Sequence, residues 1–377
     1  MKLNKGLVIS IVLVVMLAAG FVFYYSERER PFSPEIEARL DQLMVDTMKE
    51  YNAPGMTMGV WVPGKGSFVR AKGVADLSTG RKMDTRDIFR IGSLTKTFTA
   101  TVILQLVDEG KLSLDDSLHK FYPKVPNSKN ITVQQLLNMT SGLHSYTELE
   151  WVQKAFFTDR FRSWAPAELV DAAIAVKPDF PPGKGFHYSN TNYVLLGIIV
   201  EKVTGNKLED EIKRRIIDRL RLSHTVFPTG PEIKEGAIHG YMFENGKADD
   251  WTRDNVSWGW AAGAMISNMY DLKTYIKAIC DGTFLSKKLQ MQRLTSWADM
   301  ELAHKEIMPT LKYGLGVFTA GGFMGHNGGL PGYVNMAMYN PEDGARVLFM
   351  LNTQPEGPAT IMIFKEVYQI LFPGAKI

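Results

Sequence analysis

Ser93-Leu94-Thr95-Lys96 sets an alcohol and an amine three residues apart. On a helix that spacing puts both side chains on one face, so Lys96 Nζ can reach Ser93 Oγ. A hydroxyl is a weak nucleophile and needs an adjacent base. A lysine can be that base only where burial or a neighbouring cation lowers its pKa. At a helix N-terminus the free N–H groups and the dipole favour an anion developing on Ser93, and Gly92 suits a tight entry into that helix. Tyr188-Ser189-Asn190 adds a phenol that can carry a proton and an amide that can hold a substrate carbonyl. His326-Asn327-Gly328-Gly329 sets an imidazole beside glycines, which let a substrate backbone approach edge-on. The N–H groups of Ser93 and Gly329 could then supply an oxyanion hole.

Each motif alone is weak. Ser117-Leu118-His119-Lys120 repeats the first spacing and Tyr333-Val334-Asn335 the second, the latter in a run that reads as a strand packing both side chains on one face. Other chemistries find no support. There is no phosphate loop, no dinucleotide fingerprint and no G-x-S-x-G elbow. The seven histidines are scattered without metal-ligand spacing, so no metal and no cofactor is called for. The single cysteine, Cys280, excludes an intrachain disulfide and a thiolate cluster. A formal net charge of +3 is too small to argue for nucleic acid. The basic stretch Lys213-Arg214-Arg215, with Arg219 and Arg221, reads as a solvated helix face.

Taken together and in this order, the three motifs resemble those of the serine β-lactamase and penicillin-recognising enzymes, class C type. Phe89-Arg90-Ile91-Gly92 before Ser93, Ile131-Thr132-Val133-Gln134-Gln135-Leu136-Leu137, Thr140-Ser141-Gly142-Leu143, Phe186-His187, Val256-Ser257-Trp258 with Ala262-Gly263, and Gly325 to Tyr333 are similar to that family's segments. The similarity runs from about Pro34 to Leu371, and within the family it looks nearest to exported DD-peptidases and alkaline D-peptidases. The resemblance implies that Ser93 is acylated and that Lys96 and Tyr188 share the proton transfers. It implies that Asn190 holds the substrate's amide carbonyl, that His326 orders Tyr188 and the substrate, that Asn327 and Gly328 touch substrate, and that Trp258 walls the cleft. The implied activity is that of a D-alanyl-D-alanine carboxypeptidase, D-peptidase or β-lactamase-like enzyme. Its partner would be a peptide or small acyl substrate, such as cell-wall peptide or β-lactam. The alternatives are a carboxylesterase of the same fold and a non-catalytic penicillin-binding sensor or structural relative.

Two departures bear on substrate. Asn327 and Gly329 stand where DD-carboxypeptidases carry hydroxyls. Some relatives also place an arginine just after the segment matching Tyr313-Gly314-Leu315-Gly316; here Val317, Phe318 and Thr319 follow and the next arginine is Arg346. A buried substrate carboxylate without a cation is costly, which leaves room for an internal D-peptide bond, an amide or an ester.

The elements that must hold these residues can be read from pattern. Ser33-Pro34 caps a first helix. Met56–Val62 and Ser67–Val74 read as strands joined at Pro63-Gly64. Helical spacing then dominates, at Thr95–Glu109, Thr132–Met139, Ala165–Val176, Asn192–Thr204 and Leu208–Leu220. Strands return at Tyr313–Thr319, Phe323–Asn327, Tyr333–Tyr339 and Arg346–Leu351, the last pair an antiparallel hairpin across Asn340 to Gly344. A helix from about Ala359 to Leu371 closes the chain. Strands at both ends with helices between predict one α/β (α+β) domain. The family resemblance implies that this is a mixed, mainly antiparallel sheet flanked by helices, with a largely helical subdomain. The hydrolase domain is expected over 33–377, with its helical insert at about 110–280.

Ahead of it, Gly6 to Tyr25 carries no charge, between Lys2 and Lys5 on one side and Glu27 to Arg30 on the other. A run of that length spans the ~30 Å bilayer core. The sequence predicts a cytoplasmic N-terminus at 1–5, a transmembrane anchor or signal peptide at 6–25, and a linker at 26–32. The catalytic domain would then be extracytoplasmic, and secreted if the segment is cleaved. The composition of the whole chain, 45% hydrophobic and 22% charged, is ordinary for a folded globular protein.

Overall fold

The structure, a computed structural model, describes residues 30–375 except 232, 234, 235, 301–306 and 356. The predicted anchor at 6–25 lies outside the described residues. None of the described helices is long and apolar enough to cross a membrane.

Helix Pro34–Glu50 starts as its sequence demands, with Pro34 in its first turn and the Ser33 hydroxyl accepting from the Ile36 N–H. It leads into β1 (Gly55–Val62) and β2 (Gly66–Asp76), paired antiparallel. Two short strands follow, β3 (Arg81–Lys82) and β4 (Phe89–Arg90), the latter paired antiparallel with the distant β7 (Ile266–Ser267). At the far end of the chain β11 (Phe323–Leu330), β12 (Tyr333–Tyr339) and β13 (Arg346–Leu351) form a meander. Strand β13 then pairs with β1, Val347 facing Val60 and Leu351 facing Met56. One nine-stranded sheet results, in the order β3-β2-β1-β13-β12-β11-β10-β9-β8, where β8 is Ala298–Asp299, β9 Lys312–Tyr313 and β10 Phe318–Ala320. Its described strand pairs are all antiparallel.

Every residue of β1 and of β12 is buried, as strands covered on both faces require. Pro34–Glu50 packs with the closing helix Ala359–Leu371, and Met269–Cys280 packs on β11, β12 and β13. The helical part begins at Thr95–Asp108, which is buried along most of its length, Phe98 stacking on Tyr275 at 3.7 Å between ring centroids. Asn190–Thr204 and the short helix Trp260–Gly263 pack against it.

Several expectations need correcting. Tyr313–Thr319 is not one strand: Gly314 and Gly316 break it into β9 and β10, with Gly316 at φ +78°. Strand β11 runs on to Leu330 rather than ending at Asn327. The helical insert contains a hairpin, β5 (Tyr241–Glu244) with β6 (Lys247–Asp250), and helices continue to Arg293. The basic stretch is no simple solvated face. It forms a π-turn, Lys213–Ile217, in which Arg215 is buried and paired with Glu109 and Glu211. The second S-x-x-K is structural: Ser117 caps a tight turn and Lys120 pairs with Asp116. So is the second Y-x-N, since Tyr333 donates to the Ile238 carbonyl and Asn335 to the Arg90 carbonyl.

Candidate active site

Ser93 sits in a tight 3-10 turn, Gly92–Leu94, that runs directly into helix Thr95–Asp108. Two glycines let this turn lie against β11. Gly92 has φ +52°, and a Cβ there would stand 2.7 Å from the Gly329 nitrogen. A Cβ on Gly328 would stand 1.9 Å from the Ile91 carbonyl oxygen. Strand and nucleophile turn are therefore pressed backbone to backbone.

Lys96 is wholly buried. Its Nζ lies 3.0 Å from Ser93 Oγ, 2.7 Å from Asn190 Oδ1 and 2.8 Å from the Ala262 carbonyl oxygen. No carboxylate compensates it among these contacts, and burial holds its pKa well below the ordinary lysine value. A neutral amine fits the three partners. Two N–H groups point at Asn190 Oδ1 and the Ala262 carbonyl, and the lone pair faces the Ser93 hydroxyl.

Tyr188 hydrogen-bonds Ser93 from the other side, and burial raises its pKa well above that of a free phenol despite that bond. Lys96 Nζ lies 4.9 Å from the centre of its ring. Asn190 begins helix Asn190–Thr204. Its Oδ1 is taken by Lys96, and its Nδ2 donates one hydrogen to Thr147 Oγ1 at 2.9 Å. The second Nδ2 hydrogen is the one suited to a substrate carbonyl.

His326 is fully buried and lines the same cavity as Ser93 and Tyr188. Its Nδ1–H donates to the Asn327 carbonyl at 2.6 Å, which leaves Nε2 to accept from the Tyr313 hydroxyl at 3.0 Å. Burial pulls its pKa down to about 3, and any ammonium on nearby Lys96 would act the same way, so the ring is neutral. It reaches Tyr188 through Tyr313, whose ring meets those of His326 and Tyr188 edge-on at 5.6 and 5.9 Å. The His326 ring also stands directly beside that of Tyr188, 6.2 Å between centroids, so it bears on Tyr188 both directly and through Tyr313.

Ser93, Tyr188, His326, Asn327 and Gly329 border one cavity of about 460 Å³. Phe186, Tyr313 and Phe318 line it, as do Met300 and Ile307, together with Pro358 and, from the closing helix, Thr360 and Ile361. Asn327 is at the rim, its Nδ2 donating to Thr360 Oγ1 at 2.9 Å. Two expected contacts fail. Gly328 faces the Ile91 backbone rather than the cavity. Trp258 stacks on Phe156 at 4.5 Å and lines a separate small hollow with Trp164 and Trp251. What Trp258 does contribute is local order, its carbonyl accepting from the Tyr146 hydroxyl. No lysine or arginine is among the described residues lining the cavity, and the described residues hold no cluster of three metal-ligating side chains.

Sequence reasoning missed Tyr313, the Ala262 carbonyl and the closing-helix wall. The first two lie inside quoted segments, and the third had no motif to mark it. It also missed Ser145, whose Oγ accepts from the Asn190 N–H, and Thr147; both follow the Thr140-Ser141-Gly142-Leu143 segment directly.

Fold and site together define a serine hydrolase of the penicillin-recognising class. The chain belongs to the beta-lactamase family, whose sequence profile matches residues 40–367. Among solved structures it is similar to a D-stereospecific amidohydrolase from Streptomyces sp., with 32% identity, 90% of this chain and 99% of that one covered, and a TM-score of 0.79. It is also similar to the D-amino acid amidase of Ochrobactrum anthropi SV3, with 25% identity, 89% and 97% covered, and a TM-score of 0.78. Penicillin-binding protein 4* of Bacillus subtilis is 27% identical over 80% of this chain and 68% of its own length. Protein flp of Staphylococcus aureus is 26% identical over 85% of this chain, which spans 64% of its length.

Proposed function

We propose that the protein hydrolyses D-aminoacyl amides or D-peptides whose end beyond the scissile bond is neutral, through an acyl-enzyme on Ser93. The observation that carries this reading is the cavity beside Ser93, apolar over most of its wall and without a cation among its described residues. A free carboxylate buried there would find no cationic partner among the described residues, whereas an amide or an internal peptide unit would not need one. The two D-specific amide hydrolases with similar structures support the same choice.

The Lys96 and Tyr188 contacts with Ser93 support the following proton steps. Lys96 takes the Ser93 proton as Oγ attacks the carbonyl carbon. Tyr188, kept protonated by burial, gives its proton to the leaving nitrogen as the C–N bond breaks. The resulting phenolate is balanced by the Lys96 ammonium beside its ring. In the second half the phenolate takes a proton from the attacking water, and Lys96 returns its proton to Ser93 Oγ. The sum is amide plus water giving acid plus amine. The N–H groups of Ser93 and Gly329, both bordering the cavity, would serve as oxyanion donors. We extend the proposal to location: residues 6–25 anchor or export the chain, so that the domain works outside the cytoplasm.

The test compares a D-Ala-D-Ala peptide, its C-terminal amide and a p-nitrophenyl ester on the full-length protein, with intact mass read after a labelled fluorophosphonate. The amide should outrun the free acid, and the adduct should vanish in Ser93→Ala. A free acid turned over fastest defeats the substrate reading, an ester with no amide turnover favours a carboxylesterase, and an adduct surviving Ser93→Ala removes the nucleophile.

A further inference from the structure

His187 lies between Phe186 and Tyr188, both of which line the cavity, but its ring is directed into a cluster of charged groups. Nδ1 stands 3.0 Å from Asp179 Oδ2. Nε2 stands 2.9 Å from Glu148 Oε1 and 3.0 Å from Oε2. Asp179 Oδ1 in turn takes His144 Nδ1 at 2.9 Å.

An ionised carboxylate only accepts hydrogen bonds, and a neutral imidazole has a single N–H. Neither tautomer of neutral His187 can face two carboxylates without setting a lone pair against an acceptor. A proton moved onto one of the acids would ease that clash. These side chains keep 23% to 44% of their exposure to water, however, and there a proton prefers imidazole to carboxylate. A ring with hydrogen on both nitrogens satisfies both carboxylates at once.

The cluster joins three pieces of chain. Glu148 ends the tight turn Tyr146–Glu148, and Asp179 sits in the connection before helix Asn190–Thr204. His144 precedes the turn, its ring 6.1 Å from that of His187. The same pieces are stitched by neutral bonds: Asn190 N–H to Ser145 Oγ at 3.1 Å, Asn190 Nδ2 to Thr147 Oγ1 at 2.9 Å, and Thr191 Oγ1 to the His144 carbonyl at 2.7 Å. We infer that His187 is held as an imidazolium between Glu148 and Asp179 and is a positioning residue that fixes Tyr188 and Asn190 for acyl transfer at Ser93. It touches neither substrate nor the reacting atoms. The inference rests on the reading of Ser93, Lys96 and Tyr188 given above.

Two measurements on the full-length protein test it. The first is ¹⁵N NMR of histidine-labelled Ser93→Ala protein, with the His187 signal assigned by its loss in a His187→Gln background. Both nitrogens should show imidazolium shifts at neutral pH, and a neutral tautomer there overturns the inference. The second is the rate of Ser93 acylation by a fluorophosphonate across pH in wild type, His187→Gln and His187→Arg. The glutamine variant, folded by circular dichroism, should acylate on the order of ten- to a hundredfold more slowly. The arginine variant should recover most of that loss, because it keeps the charge. Wild type should lose rate on the alkaline side at the pH where the NMR signal titrates, and the arginine variant should not. A folded glutamine variant that reacts at the wild-type rate overturns the positioning role. If wild type itself takes no adduct at Ser93, the functional reading has failed; the NMR measurement needs no turnover and still decides whether the imidazolium exists.

Discussion

A base that must first lose a proton ties the reaction to pH. Lys96 owes its lowered pKa to burial, so acylation should vanish as pH falls through that lowered value and level off above it. An arginine cannot shed its proton at any workable pH. Lys96→Arg should therefore cut the acylation rate by roughly 10²–10⁴, the usual worth of a positioned base, when the burst of an acylating probe is followed by stopped flow. A burst of normal rate would remove Lys96 as the base. The Ser93–Lys96 pair was legible because a three-residue spacing on a helix is a geometric statement by itself. The division of labour with Tyr188 was not, because it depends on Asn190 and the Ala262 carbonyl claiming the two Lys96 hydrogens, and these sit far away in sequence. Trp258 and Gly328 were misplaced for a related reason. A motif tells which residues gather, but the side a strand or turn presents is set by neighbours such as Phe156 and Ile91.

Between elements, the contact that sets the site is the press of β11 onto the Gly92–Leu94 turn. A methyl group on Gly328 would overlap the Ile91 oxygen, and backbone cannot swing aside as a side chain can. Gly328→Ala should cost about 1–3 kcal/mol, the range for overpacking, and should slow acylation as well because strand and nucleophile part together. Thermal unfolding and probe labelling of the same sample check this. Unchanged melting with unchanged labelling would show that the contact is slack. Strands β12 and β13 and the closing helix matched the ranges read from sequence, since alternation, a tight turn and helical spacing are all local signals. The β5–β6 hairpin escaped notice because its strands are four residues each and largely exposed, leaving no alternation to read. Met269–Cys280 was not singled out although Asn268 caps it, the cap being visible only once the fold excludes a strand there.

Across the molecule, the helix that carries Lys96 is tied at its other end by charge. Glu109 caps Thr95–Asp108 and pairs with buried Arg215, which also holds Glu211. Hydrogen bonding to Arg215 pulls the Glu109 pKa from 4.5 down to about 2. A carboxylate depressed in the folded state stabilises it above its ordinary pKa and loses that effect as pH falls towards the folded value. Glu109 is 36% exposed, so water screens part of the gain and about 1 kcal/mol is the scale to expect. Glu109→Gln should melt a few degrees below wild type at neutral pH, with the gap closing between pH 4.5 and about 2. A gap independent of pH would assign the loss to packing. The architecture at this scale was legible because strands sit at both ends of the sequence with helices between them. That arrangement also governs how the chain is made. Strand β1 cannot take its β13 neighbour until the chain has been synthesised past Leu351, so one hydrogen-bonding edge of β1 waits unpaired while the residues between are made. The completed sheet brings Pro34–Glu50 against Ala359–Leu371, so the domain begins and finishes at one place. A circularly permuted chain, joined there and opened in an exposed loop of the helical part, could assemble its sheet strands consecutively and shorten that wait.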